Sequence, residues 1–102
     1  MMKVSESNNV IKGSENVFED LGFSPDEAMN LQIRADLMLE LRSFIKKKGW
    51  TQQEAATFFE ETQPRISNLI NGDISRFSLD KLVNMLAKAG MKVKFEVLSE
   101  SG

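Results

Sequence analysis

The chain has 102 residues, of which 41% are hydrophobic and 27% charged, with a formal net charge of −2 and neither cysteine nor histidine. This length fits one domain with a modest core, and the missing residue types exclude disulfides, Cys/His metal sites and nucleophile–histidine catalysis. No run of carboxylates has the spacing of an EF-hand loop, so we expect no enzyme activity, no cofactor and no metal site. No apolar run approaches membrane-spanning length and the N-terminus has no signal-peptide pattern, so we expect a cytoplasmic protein with no membrane partner.

The first predicted segments are a polar arm and a short apolar stretch. Residues 1–15 are rich in Ser and Asn and lack an apolar period, which predicts a disordered arm. Residues 16–23, NVFEDLGF, instead hold four large apolar side chains: Val17, Phe18, Leu21 and Phe23. Four such groups are too many for a free tail, so we expect this stretch to pack either on its own domain or on a partner.

A long helix is predicted from Ser24 to about Lys48. Its start combines a Ser cap, a Pro at the first position and acidic residues in the first turn, and it ends at Gly49 after a basic last turn. Two neighbouring apolar bands cover more than half of its circumference: Ala28, Leu31, Ala35, Met38, Leu39 and Ile45, and beside them Ile33, Leu37, Leu41 and Phe44. The excess of apolar surface lies toward the N-terminal half, which predicts a second packing partner there.

Two short helices joined by a tight turn are predicted between Thr51 and Asn71. Thr51 and Glu54 form a capping box for the first helix. Thr62 is an N-cap for the second helix, with Pro64 in its first turn. Asn71-Gly72 is typical of a helix C-terminus that ends in a left-handed conformation.

The second of these helices has an apolar inner face and a polar outer face. Ile66 and Leu69 lie on the inner face, and Ala56 of the first helix is small enough for a close crossing. The outer face carries side chains that donate and accept hydrogen bonds: Gln63, Arg65, Ser67, Asn68 and Asn71. Such groups suit the base edges in a DNA major groove. The alternative is that they only solvate the surface of a compact helical bundle.

The run TQxEAAxxxxxTQPRISxLxNG resembles the helix-turn-helix of the Cro/phage-repressor-like (XRE) family, and most of all HigA-type antitoxins. The resemblance covers roughly residues 16–97. It implies a mostly helical, lambda-repressor-like bundle that binds a palindromic double-stranded DNA operator as a homodimer and represses transcription. It also implies that the chain represses its own operon and neutralises a RelE-like toxin encoded beside it.

The resemblance also implies which residues contact DNA. The predicted DNA-binding residues are Gln52, Thr62, Gln63, Arg65, Ser67, Asn68, Asn71, Arg76 and Ser78. Arg65 is predicted to make a bidentate contact to guanine, and Gln63 or Asn68 to adenine. Gln52, Arg76 and Ser78 are predicted to approach the phosphate backbone. Ser78 can also serve as the N-cap of the next helix.

The turn between the two short helices departs from the family pattern. Glu60 stands where the family usually has Gly, and Glu61 stands where it usually has an apolar residue. If the family geometry is kept, Glu60 has a positive φ, which a side chain with a Cβ disfavours. The turn is then strained; the other reading is that its shape has changed, which would shift the second helix.

The C-terminal part is predicted to contain one helix and one strand. Ser78 caps an amphipathic helix that ends at Gly90, and residues 91–98, MKVKFEVL, alternate with period two. A lone strand leaves its backbone unpaired, so we expect it to pair with another chain, either a partner protomer's copy or an incoming strand from another protein. The domain thus spans residues 16–98, and residues 99–102 form a frayed tail.

Charge weakens the expectation of DNA binding. Residues 1–30 hold two basic and six acidic side chains, whereas residues 31–102 hold eleven basic and nine acidic ones. The net charge of +2 on residues 31–102 is small for a DNA-binding unit. It therefore favours a dimer or a second protein partner. Two alternatives to an antitoxin therefore stay open: a stand-alone XRE-type repressor, and a protein-interaction module that has lost DNA binding.

Overall fold

The computed structural model describes residues 2–4 and 17–99. In chain order these residues form β1 (Met2–Val4), α1 (Val17–Asp20), α2 (Pro25–Lys48), α3 (Gln52–Phe59), α4 (Gln63–Ile70), a 3-10 helix (Ile74–Arg76), α5 (Leu79–Lys88) and β2 (Val93–Phe95). The predicted fold class is confirmed, since the chain is a mostly helical bundle with a long N-terminal helix and a C-terminal strand.

Helix α2 begins and ends where its local sequence predicts. The Ser24 hydroxyl accepts a hydrogen bond from the Glu27 N–H at 3.3 Å, and Pro25 occupies the first turn. Gly49 ends the helix in a left-handed conformation with φ +70°, which glycine adopts without steric cost.

The core lies between α2 and the three helices that follow it. Its largest fully buried side chains come from all four helices and from the segment before α5: Leu37, Met38, Leu41, Phe59, Ile66, Leu69, Phe77, Leu82 and Leu86. Ile66 and Leu69 anchor α4, and the buried Ala56 of α3 leaves room for the two short helices to cross, as predicted.

The segment before α2 packs on its own domain, which was one of the two predicted outcomes. Helix α1 lies against α2, and the rings of Phe18 and Phe23 meet edge to face with their centroids 6.2 Å apart. Ala28 is fully buried at this end of α2, outside the main core. Part of the surplus apolar face is therefore covered from within the chain, although Val17, Leu21 and Phe23 stay exposed.

The C-terminal strand corrects two predictions. Met2–Val4 pairs antiparallel with Val93–Phe95, with Met2 opposite Phe95 and Val4 opposite Val93. Disorder was predicted for the first three of these residues, and another chain was predicted as the partner of the strand. Both predictions are wrong here, because the alternating Met-Lys-Val run was obscured by the polar composition around it, and it supplies the backbone partner that β2 needs.

The strand is also shorter than the predicted span of residues 91–98. The rest of the predicted disordered arm, and residues 100–102 of the predicted tail, lie outside the described residues. In the described ranges, no helix combines the length and the apolar character that crossing a membrane requires.

Candidate nucleic-acid interface

The turn between α3 and α4 keeps a left-handed residue at Glu60. Its φ of 56° and ψ of 45° lie in the left-handed helical region, and among residues 17–99 it is the one non-glycine residue with a positive φ. The Glu61 N–H then donates to the Ala56 carbonyl at 2.9 Å and closes the end of α3. The positive φ predicted from the family geometry is confirmed. Because a residue with a Cβ disfavours this conformation, strain at Glu60 stays a prediction.

Cations from α5 neutralise the two carboxylates of this turn. The Lys88 ammonium bonds the Glu60 carboxylate at 2.5 Å and the Phe59 carbonyl at 3.1 Å. That hydrogen bond, together with the charge of Lys88, lowers the pKa of the Glu60 carboxyl. Lys81 pairs with Glu61, whose side chain is only 12% exposed.

These pairs were missed at the level of sequence, although a signal exists. Lys81 and Lys88 are seven residues apart on α5, so they lie on one face two turns apart. The two adjacent glutamates of the turn face that side of the bundle, each with its own lysine. The turn therefore presents much less negative charge than its sequence predicts.

Helix α4 is fixed at its N-terminus and along its inner face. The Thr62 hydroxyl accepts from the Arg65 N–H at 3.2 Å, as an N-cap does. The hydroxyl predicted to bind DNA is thus already an acceptor, although it keeps its own proton for donation. With Ile66 and Leu69 fully buried, the rotation of α4 about its axis is set, and its polar side turns outward.

Most of the predicted reading residues lie together on this outward side. Gln63 and Asn71 are exposed, and Ser67 and Asn68 are half-buried. Among the residues that the structure describes, none of these four side chains has a hydrogen-bond partner. Their donors and acceptors are therefore available to a ligand.

Arg65 differs from the other predicted readers, because its guanidinium is engaged inside the protein. Its Nη1 donates to the Arg76 carbonyl at 2.8 Å, and its Nε lies 3.9 Å from a Glu61 oxygen. Its Cζ atom lies over the Phe77 ring, 5.6 Å from the ring centroid. The guanine contact stays an untested prediction. In this conformation only some of the guanidinium N–H donors remain free to make it.

The segment between α4 and α5 carries two of the three predicted phosphate contacts, Arg76 and Ser78. The Arg76 side chain is 66% exposed, with its Nε 3.4 Å from an Asp73 oxygen. Ser78 caps α5 by accepting from the Lys81 N–H at 3.1 Å, as predicted. Gln52 is half-buried at the first position of α3, where the first N–H groups of a helix have no intrahelical acceptor.

A second arginine reaches this segment from α2 and was not predicted. Arg34 Nη1 donates to the carbonyls of Ile74 at 3.2 Å and Phe77 at 3.1 Å. These partners are 40 and 43 residues away in sequence, so no local pattern indicates them.

Comparison with known proteins agrees with this arrangement. A family model described as "Helix-turn-helix domain" matches residues 17–98 of the chain. No curated protein matches the sequence.

Proposed function

This chain belongs to the helix-turn-helix domain family, and from that membership we propose that it is a sequence-specific DNA-binding repressor of transcription. One observation carries the proposal: α4 is anchored by its buried inner face, while four polar side chains of the reading face, Gln63, Ser67, Asn68 and Asn71, have no partner within the described part of the chain. A fixed helix with free donors and acceptors is what reading a major groove requires.

The proposed roles divide between base contacts and phosphate contacts. Gln63 and Asn68 are the amides that can pair with adenine, with Ser67 and Asn71 beside them. Arg76, the Ser78 end of α5 and Gln52 are the proposed phosphate contacts, which position the protein without reading sequence.

The test uses DNA from upstream of the gene that encodes the chain. Gln63→Ala and Asn68→Ala should each weaken binding to the protected site by roughly 1–3 kcal/mol while leaving binding to unrelated DNA unchanged, because each removes one bidentate base contact. Asn84→Ala is the matched control, since Asn84 is exposed on α5. Footprinting and fluorescence anisotropy measure both effects. An unaltered footprint for both variants would mean that α4 is not the reading helix.

A second candidate function is that of an antitoxin, and the surface around α1 favours it. Val17, Leu21 and Met29 are exposed there, with Leu21 at 71%. Four carboxylates lie in the same stretch, at Glu19, Asp20, Asp26 and Glu27, and residues 17–33 contain no basic residue. An apolar surface with acidic neighbours complements a basic protein, and a ribonuclease of the RelE-like class, which must bind RNA, fits that description.

The probe for this candidate is the purified product of the neighbouring reading frame. Leu21→Asp should weaken its binding at least tenfold, because a charge replaces the most exposed apolar side chain of this surface. Val97→Asp is the control, since Val97 is 93% exposed at the other end of the chain. Calorimetric titration measures the dissociation constants. A neighbouring product that does not bind the wild-type chain leaves the stand-alone repressor as the function.

A further inference from the structure

Two arginines hold the backbone of the segment that joins α4 to α5. Arg34 of α2 bonds the carbonyls of Ile74 and Phe77, at 3.2 and 3.1 Å. Arg65 of α4 bonds the carbonyl of Arg76 at 2.8 Å. Three carbonyls within four consecutive residues are therefore bound by guanidinium groups from two different helices.

The orientation of each guanidinium is itself fixed. Arg34 Nε donates to the Asn30 side-chain oxygen at 2.7 Å, one turn earlier on α2. The Arg65 guanidinium lies over the Phe77 ring, and Phe77 is buried in the core. Each arginine is therefore a preorganised donor whose hydrogen bonds cost little additional side-chain entropy.

The segment is anchored on the core by the side chains of Phe77 and Ile74, and its backbone forms only a short turn between them. Its 3-10 helix is three residues long, with the Arg76 N–H bonded to the Asp73 carbonyl and the Phe77 N–H to the Ile74 carbonyl. Short 3-10 turns have poor hydrogen-bond geometry, and a bound carbonyl restricts the backbone on both sides of it. The two arginines therefore add restraint to the backbone around Arg76, whose own side chain is exposed.

We propose that Arg34 and Arg65 are positioning residues for DNA binding: they hold the Ile74–Phe77 backbone so that Arg76 meets a phosphate. This rests on the proposed function, in which Arg76 is a phosphate contact. It assigns Arg65 a role different from the base contact predicted from sequence, and it assigns a role to Arg34, which is half-buried on α2. Positioning through Arg76 predicts that the effects of losing each arginine depend on whether Arg76 is present.

The experiment is a set of double-mutant cycles read by affinity and by salt dependence. Arg76→Ala should lower the magnitude of the slope of log K against log salt by about one, because one phosphate contact is lost. Arg34→Met and Arg65→Met should each lower affinity roughly tenfold, the size expected for a charge-assisted hydrogen bond, and should reduce the slope in the same way. In the Arg76→Ala background, both substitutions should change affinity and slope little.

Lys47→Met is the matched control, because it removes one cation from the exposed C-terminal turn of α2. Its effect should be the same with and without Arg76. Additive losses for Arg34→Met and Arg65→Met would overturn the proposal, since the arginines would then act by direct contact or by general stability.

A second measurement needs no DNA and so separates this proposal from the proposed function. Amide hydrogen exchange in the free protein should accelerate at Arg76 and Phe77 in the Arg34→Met variant, while exchange in α3 stays as in the wild type. Unchanged exchange at both amides overturns the positioning role even if the wild type binds DNA. Failure of the wild type to bind DNA, with the exchange result as expected, overturns the DNA-binding function and with it the role assigned to the two arginines.

Discussion

At Glu60 the chain keeps a side chain where the backbone favours glycine, and a neighbouring lysine offsets part of the resulting cost. The left-handed φ strains a residue with a Cβ. A carboxylate at the C-terminus of α3 also meets the negative end of the helix dipole. Lys88 neutralises that carboxylate and bonds the last carbonyl of the helix at the same time.

Glu60→Gly should therefore raise the melting temperature by about 4 °C, because relief of backbone strain outweighs the loss of an exposed ion pair. Freeing Lys88 should also tighten DNA binding, and that gain should shrink as salt is added. Glu60→Gln is the control, since it removes the charge but keeps the strain, and it should not raise the melting temperature. A Gly variant that melts at or below the wild-type temperature would show that the turn stores no strain.

Asp36 on α2 is a second residue whose position lowers the stability of the fold, because its carboxyl is partly buried. Burial raises the pKa of its carboxyl, a hydrogen bond from Gln32 at 3.1 Å opposes that shift, and the charge of Glu40 adds to it. Within the described part of the chain, its buried Oδ2 has no hydrogen-bond partner. Because the folded-state pKa is raised, the folded protein binds a proton more readily than the unfolded chain does. Stability therefore falls as pH rises from the unfolded pKa through the folded pKa.

Asp36→Asn should accordingly increase the free energy of unfolding near neutral pH, because it removes the desolvated charge. The advantage should disappear below about pH 4, where Asp36 is protonated in the unfolded chain as well. Denaturant titrations at the two pH values measure the difference. The control is Asp26→Asn in the exposed first turn of α2, which should lower stability near neutral pH because it removes a carboxylate that favours the helix dipole. Equal gains for Asp36→Asn at both pH values would show that the buried charge of Asp36 is not what lowers the stability.

At the scale of elements, helix boundaries followed from the sequence because capping acts over three or four residues. Ser24, Thr51, Thr62 and Ser78 each accept a hydrogen bond from the N–H three residues later. The outward-facing amides of α4 also followed from local sequence, since they fall outside the apolar stripe that Ile66 and Leu69 form at helical spacing. These parts of the fold and of the candidate site required only local information.

Contacts between distant elements could not be obtained in that way. The bond from Arg34 to the Phe77 carbonyl spans 43 residues, and a backbone carbonyl has no sequence signature. The pairing of β1 with β2 was missed because three alternating residues carry too little signal within a polar arm. Arg65 was assigned to a base edge because its position on α4 allows that contact. Its observed partner, the Arg76 carbonyl, belongs to the 3-10 helix and could not be predicted from α4 alone.

At the scale of the whole molecule, useful selectivity requires two copies on DNA, since one short helix reads few base pairs. The pairing of β2 with β1 satisfies one edge of the strand within its own chain, so that edge needs no second copy. If the chain binds DNA as the homodimer that the family resemblance implies, we expect the contact on α2, where Leu31 and Ala35 are half-buried and Leu39 is exposed.

Leu39→Glu should convert the dimer to a monomer in sedimentation equilibrium without changing the melting temperature by more than about 2 °C, because the side chain is exposed in the single chain. Val97→Glu should leave the assembly unchanged. A dimer that survives Leu39→Glu but dissociates when residues after Met91 are removed would show that the dimer interface lies at the C-terminal strand and not on α2.

The charge on the two ends of α2 acts before any contact is made. Its 24 residues span about 36 Å, with carboxylates at Asp26 and Glu27 and three lysines in its last turn. A molecule with separated charges approaching a polyanion experiences a torque, which turns its basic end forward and its acidic end toward solvent. If the chain binds DNA as proposed, this torque would favour encounters led by the lysine end of α2 and would keep the acidic α1 end, the proposed surface for a second protein, from leading the approach.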